Sequence, residues 1–201
     1  MDNKTTMSHF KLRRFAFLVC LSSTLLFVSL SSCSTQSTRA PEIDTAKMDH
    51  LLQLINARLA MSRMVARAKW NSGAPLDDPE REQEILEYAS NEAASVGIPE
   101  AMARDFFQDQ FNAGKLLQRR LHEEWQRTGQ QSFTYAPDLY NDMRPVLDRL
   151  TAQLIAALHD VQPMVLSEQG KHYMVTRCEQ LVRNDFDGAP RAVALHSLLH
   201  K

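Results

Sequence analysis

Glycine and proline fall at only a few places in this sequence, and the stretches between those places are long. Gly73 and Pro75 close one stretch, Gly97 and Pro99 separate the next two, and Gly129 and Pro137 bracket a further break. Each stretch carries apolar residues at three- and four-residue steps, the period of one helix face, and none shows the clean alternation of a strand. Leu51, Leu54, Ile55, Leu59 and Met61 set the first pattern, and Met64, Val65 and Ala68 continue it. Ile85, Leu86, Tyr88 and Ala89 set the second; Phe106, Phe107, Phe111, Leu116, Leu117, Leu121 and Trp125 set the third. The pattern predicts helices over 42–72, 78–95, 99–127, 137–159, 165–182 and 190–200. Asp78 as cap with Pro79 at the first helical position opens the second helix, and Pro145 bends the fourth. The chain therefore reads as all-α, a bundle of about six helices with one long central helix over 99–127.

The N-terminus reads differently. Residues 1–14 are polar and basic and end in KLRR, and residues 15–30 form a short apolar run. That is the layout of an export signal, and the run is too short for a spanning helix. It ends Leu30-Ser31-Ser32-Cys33, which resembles a bacterial lipoprotein box. Cys33 is then the lipid attachment point of a periplasmic or outer-membrane-anchored lipoprotein. The alternative is an ordinary signal cleaved nearby and a secreted product; a cut after Ala40 is hindered by Pro41. Residues 34–41 read as a flexible tether and residues 42–201 as one helical domain.

Charge and cysteine usage narrow the function. The full chain carries net −1, and residues 1–33 hold +3, which leaves −4 for the rest. A mildly acidic chain without a basic block argues against nucleic acid as partner, and an anionic ligand must be held by a local group of cations. Cys20 and Cys33 lie in the export segment, so Cys178 stands alone in the domain, which excludes an intrachain disulfide there. Cys178 reads as a small buried hydrophobe.

The densest chemistry lies between residues 58 and 82. Eleven residues at about 100° each make three turns plus about 20°, so Arg58 and Lys69 share a helix face, about 16 Å apart along the axis. Ser62, Val65 and Ala66 between them are small, so two cations flank a shallow trough. Asp78, Arg81 and Glu82 follow at i, i+3, i+4, again on one face. Gly114 and Gln118 lie one turn apart on the third helix; a ligand-binding role for Gln118 needs it turned inward, opposite Lys69, whereas in isolation it reads as a surface Gln. Taken singly, each of these residues is an ordinary solvated charge, cap or surface amide.

Taken as an ordered set, Arg58, Lys69, Asp78, Arg81, Glu82 and Gln118 give R-x10-K-x8-D-x2-R-E and then a long helix with a Gln. This resembles the all-helical chorismate mutases, and the export signal makes the secreted, periplasmic class the nearest match. The resemblance covers roughly residues 50–125. It implies the fold read above and the rearrangement of chorismate to prephenate, a step of the Phe/Tyr branch of aromatic amino acid biosynthesis. That reaction is unimolecular and needs no cofactor and no metal. The resemblance further implies that Arg58 and Arg81 grip the substrate carboxylates, that Lys69 and Gln118 donate to the ether oxygen, and that Asp78 and Glu82 accept from the ring hydroxyl. Gly114 stands where the family often has Ser or Thr, so it cannot supply a hydroxyl; its small size leaves room for the ligand. The family usually has one more Arg from a later helix or a partner chain. Arg149 is the candidate here, Gln153 its alternative in another register, and Arg63 and Arg144 are weaker options. Some secreted members carry a disulfide; this chain departs from them, so its C-terminal region is expected to be held by packing alone.

Other features receive plain readings. His196 and His200 at i, i+4 lack a nearby third ligand and do not make a metal site. Met61 and Met64 read as core packing. A homodimer stays open, as do two competing functions: a non-catalytic helical lipoprotein that binds a partner protein or a small anionic ligand, and a family member that keeps ligand binding without catalysis.

Overall fold

Helix α1 begins where Asp44 accepts hydrogen bonds from the Ala46 and Lys47 amides, and runs over Thr45–Ser72 to Gly73, whose φ of 70° lets the chain turn back. The computed structural model describes residues 43–200, so the predicted export signal, the tether, Cys33 and the first predicted helical residue, Glu42, lie outside the described residues. Asp78 caps α2 (Pro79–Ser95) by accepting from the Arg81 amide, with Pro79 in the first turn. Helix α3 spans Glu100–Thr128. It closes with the Gln130 amide on the Trp125 carbonyl and the Gly129 amide on the Gln126 carbonyl, the paired bonds that a left-handed glycine permits.

The remaining elements depart from the sequence pattern in instructive ways. Pro145 opens a helix and does not sit inside one. A π-helical turn over Leu139–Met143 comes first, and α4 (Arg144–Val165) starts with Pro145 in its first turn, where a missing N–H costs nothing. Asp138 builds the wide turn: its carboxylate takes the Tyr140 and Asn141 amides, and its carbonyl takes those of Asp142 and Met143. Helix α4 continues six residues beyond the predicted end, carrying Pro163 in its last turn, and α5 spans Glu168–Leu181 from a Ser167 cap. The last predicted helix is two short ones, α6 (Ala189–Ala194) and α7 (His196–Leu199). They part because α3 captures the backbone: Gln110 donates to the Ala194 carbonyl at 2.7 Å, and Asp109 accepts from the Ser197 amide at 2.7 Å.

Helix α1 packs against α3, α4 and α5, and α3 against α1, α2 and α6, so these two long helices are the shared wall of the bundle. Met48, Leu51, Leu52 and Ile55 of α1, Phe106, Phe107 and Leu117 of α3, and Leu154 and Leu158 of α4 are wholly buried between them. The C-terminal segment is held by more than packing, contrary to expectation. The Arg183 and Asn184 amides donate to Asn56 Oδ1 at 2.8 Å each, Arg63 donates to the Asp185 carbonyl, and Arg120 pairs with Asp187. Cys178 is free and buried, and burial raises its thiol pKa.

Candidate active site

A cavity of about 780 Å³, its open mouth included, opens between α1, α2, α3 and the start of α4. Helix α1 contributes Arg58, Ser62, Val65 and Lys69; the α2 side contributes Leu76, Asp78, Arg81, Glu82 and Ile85. Helix α3 contributes Gln110, Phe111, Gly114, Lys115 and Gln118, and the π turn and α4 contribute Leu139, Arg144, Leu147 and Asp148. The helical period explains the first two groups: steps of four, three and four from Arg58 to Lys69 keep one face of α1 toward the cavity. Ala66 is the exception to the predicted trough. It is wholly buried, and its carbonyl lies 2.9 Å from His122 Nε2.

Arg58 is 6 % exposed and has no carboxylate within ion-pair distance among the described residues. Its Nη1 lies 3.5 Å from Thr151 Oγ1, and its guanidinium sits 5.1 Å from the centre of the Phe111 ring. Burial lowers its pKa to about 10, with the negative charge of Asp148 opposing the shift. Lys69 is 8 % exposed and donates to the Leu76 carbonyl at 2.7 Å. Burial lowers its pKa as well, against the pull of Asp78, Asp77 and Glu82. Across the cavity Gln118 is buried, and its Oε1 has no hydrogen-bond partner. Whichever end of that amide is called oxygen, a buried polar atom there is left for a ligand to meet.

The mouth is richer in ion pairs. Arg81 bonds Glu84 and Asp148, each at 3.0 Å, and Glu82 accepts from Lys115 at 2.8 Å. Arg144 lies 3.7 Å from Asp78 and stacks on the Tyr140 ring at 4.0 Å. In all, five cationic side chains (Arg58, Lys69, Arg81, Lys115, Arg144) and three acidic ones (Asp78, Glu82, Asp148) line the cavity. The excess of two positive charges in a chain that is net negative is the electrostatic complement of a dianion. Uncharged donors beside an apolar floor of Val65, Ile85 and Phe111 suit a small ring with polar edges.

Seven predicted positions therefore meet in one cavity: Arg58, Lys69, Asp78, Arg81, Glu82, Gly114 and Gln118. Arg149 does not. It is exposed on α4 and absent from the lining, because the π turn sets a helical register that aims Arg144, Leu147 and Asp148 inward instead. Gln153 and Arg63 are not on the cavity either. Lys115 and Asp148 were not singled out from sequence. Lys115 stands three residues before Gln118 on the same face of α3, a spacing that could have revealed it. Among the described residues no three His, Cys, Asp or Glu side chains gather as a metal site would need.

The family profile for chorismate mutase type II matches residues 42–119. The chain is 34 % identical to a solved chorismate mutase from Burkholderia thailandensis, covering 76 % of this chain and 99 % of that one, with a TM-score of 0.67. A solved chorismate mutase from Burkholderia phymatum is 26 % identical, with 78 % and 99 % covered and a TM-score of 0.62. A secreted chorismate mutase of Mycolicibacterium smegmatis is 23 % identical over 145 residues, 71 % of this chain and 80 % of that protein.

Proposed function

The chain belongs to the chorismate mutase family, and we propose that its helical cavity holds chorismate in the compact conformer that rearranges to prephenate. Its activity is that of a chorismate mutase, an isomerase. In this reaction one C–O bond breaks as one C–C bond forms within a single molecule, so the tasks left to the protein are conformational restraint and stabilisation of the charge that grows on the ether oxygen. Arg58 and Arg81 take the two carboxylates, and Arg144, a weaker option in the sequence, takes the place of Arg149 as the further arginine. Lys69 and Gln118 donate to the ether oxygen; Asp78 and Glu82 accept from the ring hydroxyl. Only the contacts to the ether oxygen strengthen much at the transition state, so Lys69 and Gln118 bear chiefly on kcat.

The observation that carries this reading is the pair of buried cations, Arg58 and Lys69, facing a cavity whose lining is two charges in excess. Arg81 and Arg144 are engaged by Asp148, Glu84 and Asp78 in the structure, so binding a dianion requires these guanidinium groups to exchange carboxylate partners. The test is loss of chorismate absorbance with purified residues 41–201, before and after exhaustive dialysis against EDTA. Equal turnover in both samples is expected; activity lost to EDTA and restored by Zn²⁺ or Mg²⁺ overturns the cofactor-free mechanism.

Export follows from the N-terminal signal layout and from secreted relatives, and no described helix is long and apolar enough to cross a membrane. We place the mature protein in the periplasm with Cys33 as its lipid anchor. Cys33→Ala should release it from membranes or block its maturation; identical soluble fractionation of both forms counts against the anchor.

A further inference from the structure

We propose that Ser62 is a substrate-binding residue, its hydroxyl occupying the space that helix α3 leaves open at Gly114. The inference rests on the chorismate mutase reading and extends it to a residue outside the six-residue pattern. A Cβ added to Gly114 would stand 2.8 Å from Ser62 Oγ and 4.0 Å from Gln118 Nε2. The first distance is closer than side-chain atoms approach without moving, so the missing side chain at 114 and the hydroxyl at 62 are a matched pair. The hydroxyl of α1 fills the volume that a side chain on α3 would take.

Simple helix packing does not account for the pair. Ser62 lines the cavity, one turn beyond Arg58 and on the same face as Lys69, and it is 7 % exposed. The one hydrogen bond of its hydroxyl among the described residues goes to the Arg58 carbonyl at 3.2 Å, long for a hydroxyl donor. Such back-bonds to the preceding turn add little to a helix, so the hydroxyl loses little by turning to a ligand. The Gln118 carboxamide, whose buried oxygen has no partner, lines the same cavity. A hydroxyl with an exchangeable proton, one turn from a buried guanidinium, suits an oxygen of the carboxylate that Arg58 grips: the guanidinium supplies charge, and Ser62 supplies a neutral donor that fixes which way the carboxylate turns.

The experiment moves the hydroxyl between helices. Steady-state kinetics with chorismate are measured for the wild type, Ser62→Ala, Gly114→Ala and the double variant Ser62→Ala/Gly114→Ser. Ser62→Ala should lower kcat/KM by about tenfold, mostly through KM, because a carboxylate contact is made in ground and transition states alike. Gly114→Ala keeps the hydroxyl but displaces it, and should cause a loss of similar size. The double variant returns a hydroxyl to the same space from α3, and should recover to within about threefold of the wild type. Two results overturn the inference while the chorismate mutase reading stands: an active wild type with unchanged KM in Ser62→Ala, or no recovery in the double variant. A wild type that does not consume chorismate overturns the reading and this inference together.

Discussion

Helix α1 sets two guanidinium groups in opposite circumstances. At its N-terminal end Asp49 receives Arg177 of α5 in a two-pronged pair, Nε to Oδ1 at 3.1 Å and Nη2 to Oδ2 at 2.6 Å, and the Tyr173 hydroxyl joins at 2.8 Å. Nine residues on, Arg58 is buried with a threonine oxygen and an aromatic ring for company and no carboxylate in reach among the described residues. The chemical consequences diverge. Hydrogen bonding to Arg177 holds the Asp49 carboxyl below its usual value and reinforces the charge on Arg177, whereas burial pushes Arg58 down to about 10. The α1–α5 clamp is electrostatically complete without a ligand. The cavity is incomplete without one, and a buried charge lacking its partner is destabilising by several kcal/mol in general. Function is to be sought where the fold tolerates that deficit.

Replacing the cavity cations tests this contrast with the largest expected effect. Arg58→Ala and Lys69→Ala should each lower kcat/KM by more than about 100-fold, roughly 2.7 kcal/mol of transition-state stabilisation, with helicity intact. Retention of more than about a tenth of kcat/KM removes that residue from the site. Arg58→Met and Lys69→Met keep the apolar stem and delete the charge, and should raise Tm while abolishing activity. A lower Tm in both would mean that the cations support the fold, as Arg177 does.

Gln118 carries the next effect. A neutral amide donates its N–H at any ordinary pH, but a carboxyl at position 118 can donate to the ether oxygen only when protonated. Gln118→Glu should therefore keep the fold and lose activity progressively as pH rises, by about tenfold or more at pH 8. Equal activity of variant and wild type at pH 8 would separate Gln118 from the ether oxygen.

The wild-type alkaline limb is smaller. Loss of a proton removes the positive charge that Arg58 or Lys69 brings to the substrate, and burial lowers both values, Arg58 to about 10. Activity should be nearly flat from about pH 5.5 to 8.5, then fall about tenfold per unit once the lower of the two values is passed. Stability responds with the opposite sign. Between the folded value of about 10 and the higher value of an ordinary guanidinium, the unfolded chain binds more protons at Arg58, so that group's contribution to stability rises with pH while activity falls. An alkaline limb that stays in place when Lys69 is replaced by Arg, with residual activity, would assign it to Arg58.

How much of this was legible in the sequence follows the distance between interacting parts. Helices α1 to α3 announce their ends locally, through Asp44, Asp78–Pro79 and the Gly129 turn, and the predicted cavity residues they carry share a face by period alone. Arg144 could not be placed that way. Its aim depends on the π turn and on the loop before it, which Asn71 pins by bonding both the amide and the carbonyl of Phe133, 62 residues away. The break between α6 and α7 is likewise set by Gln110 and Asp109, more than 80 residues upstream. Ser62 was visible as a small residue in the trough, but its pairing with Gly114 is a property of two helices and not of either sequence.

The smallest effect is expected at the clamp, and it decides whether the comparison holds. Asp49 and Arg177 are partly exposed, 23 % and 32 % for their side chains, so solvent screens the pair and its loss should be mild. Asp49→Asn keeps the shape and an acceptor but removes the charge; Tm should fall by about 2–4 °C, while kcat/KM stays within about twofold of wild type. The pH dependence of that Tm difference carries the sign. Because the folded Asp49 value is depressed below 3.8, its contribution is present above that value and is lost as pH falls through the lower one. The gap between wild type and Asp49→Asn should therefore be full at neutral pH and close in strong acid, whereas the gain from Lys69→Met, which removes a cation whose burial outweighs the pull of its acidic neighbours, should persist there. If Asp49→Asn instead impairs turnover as much as it lowers Tm, the clamp positions Arg58 through α1, and the two regions are a single mechanical unit.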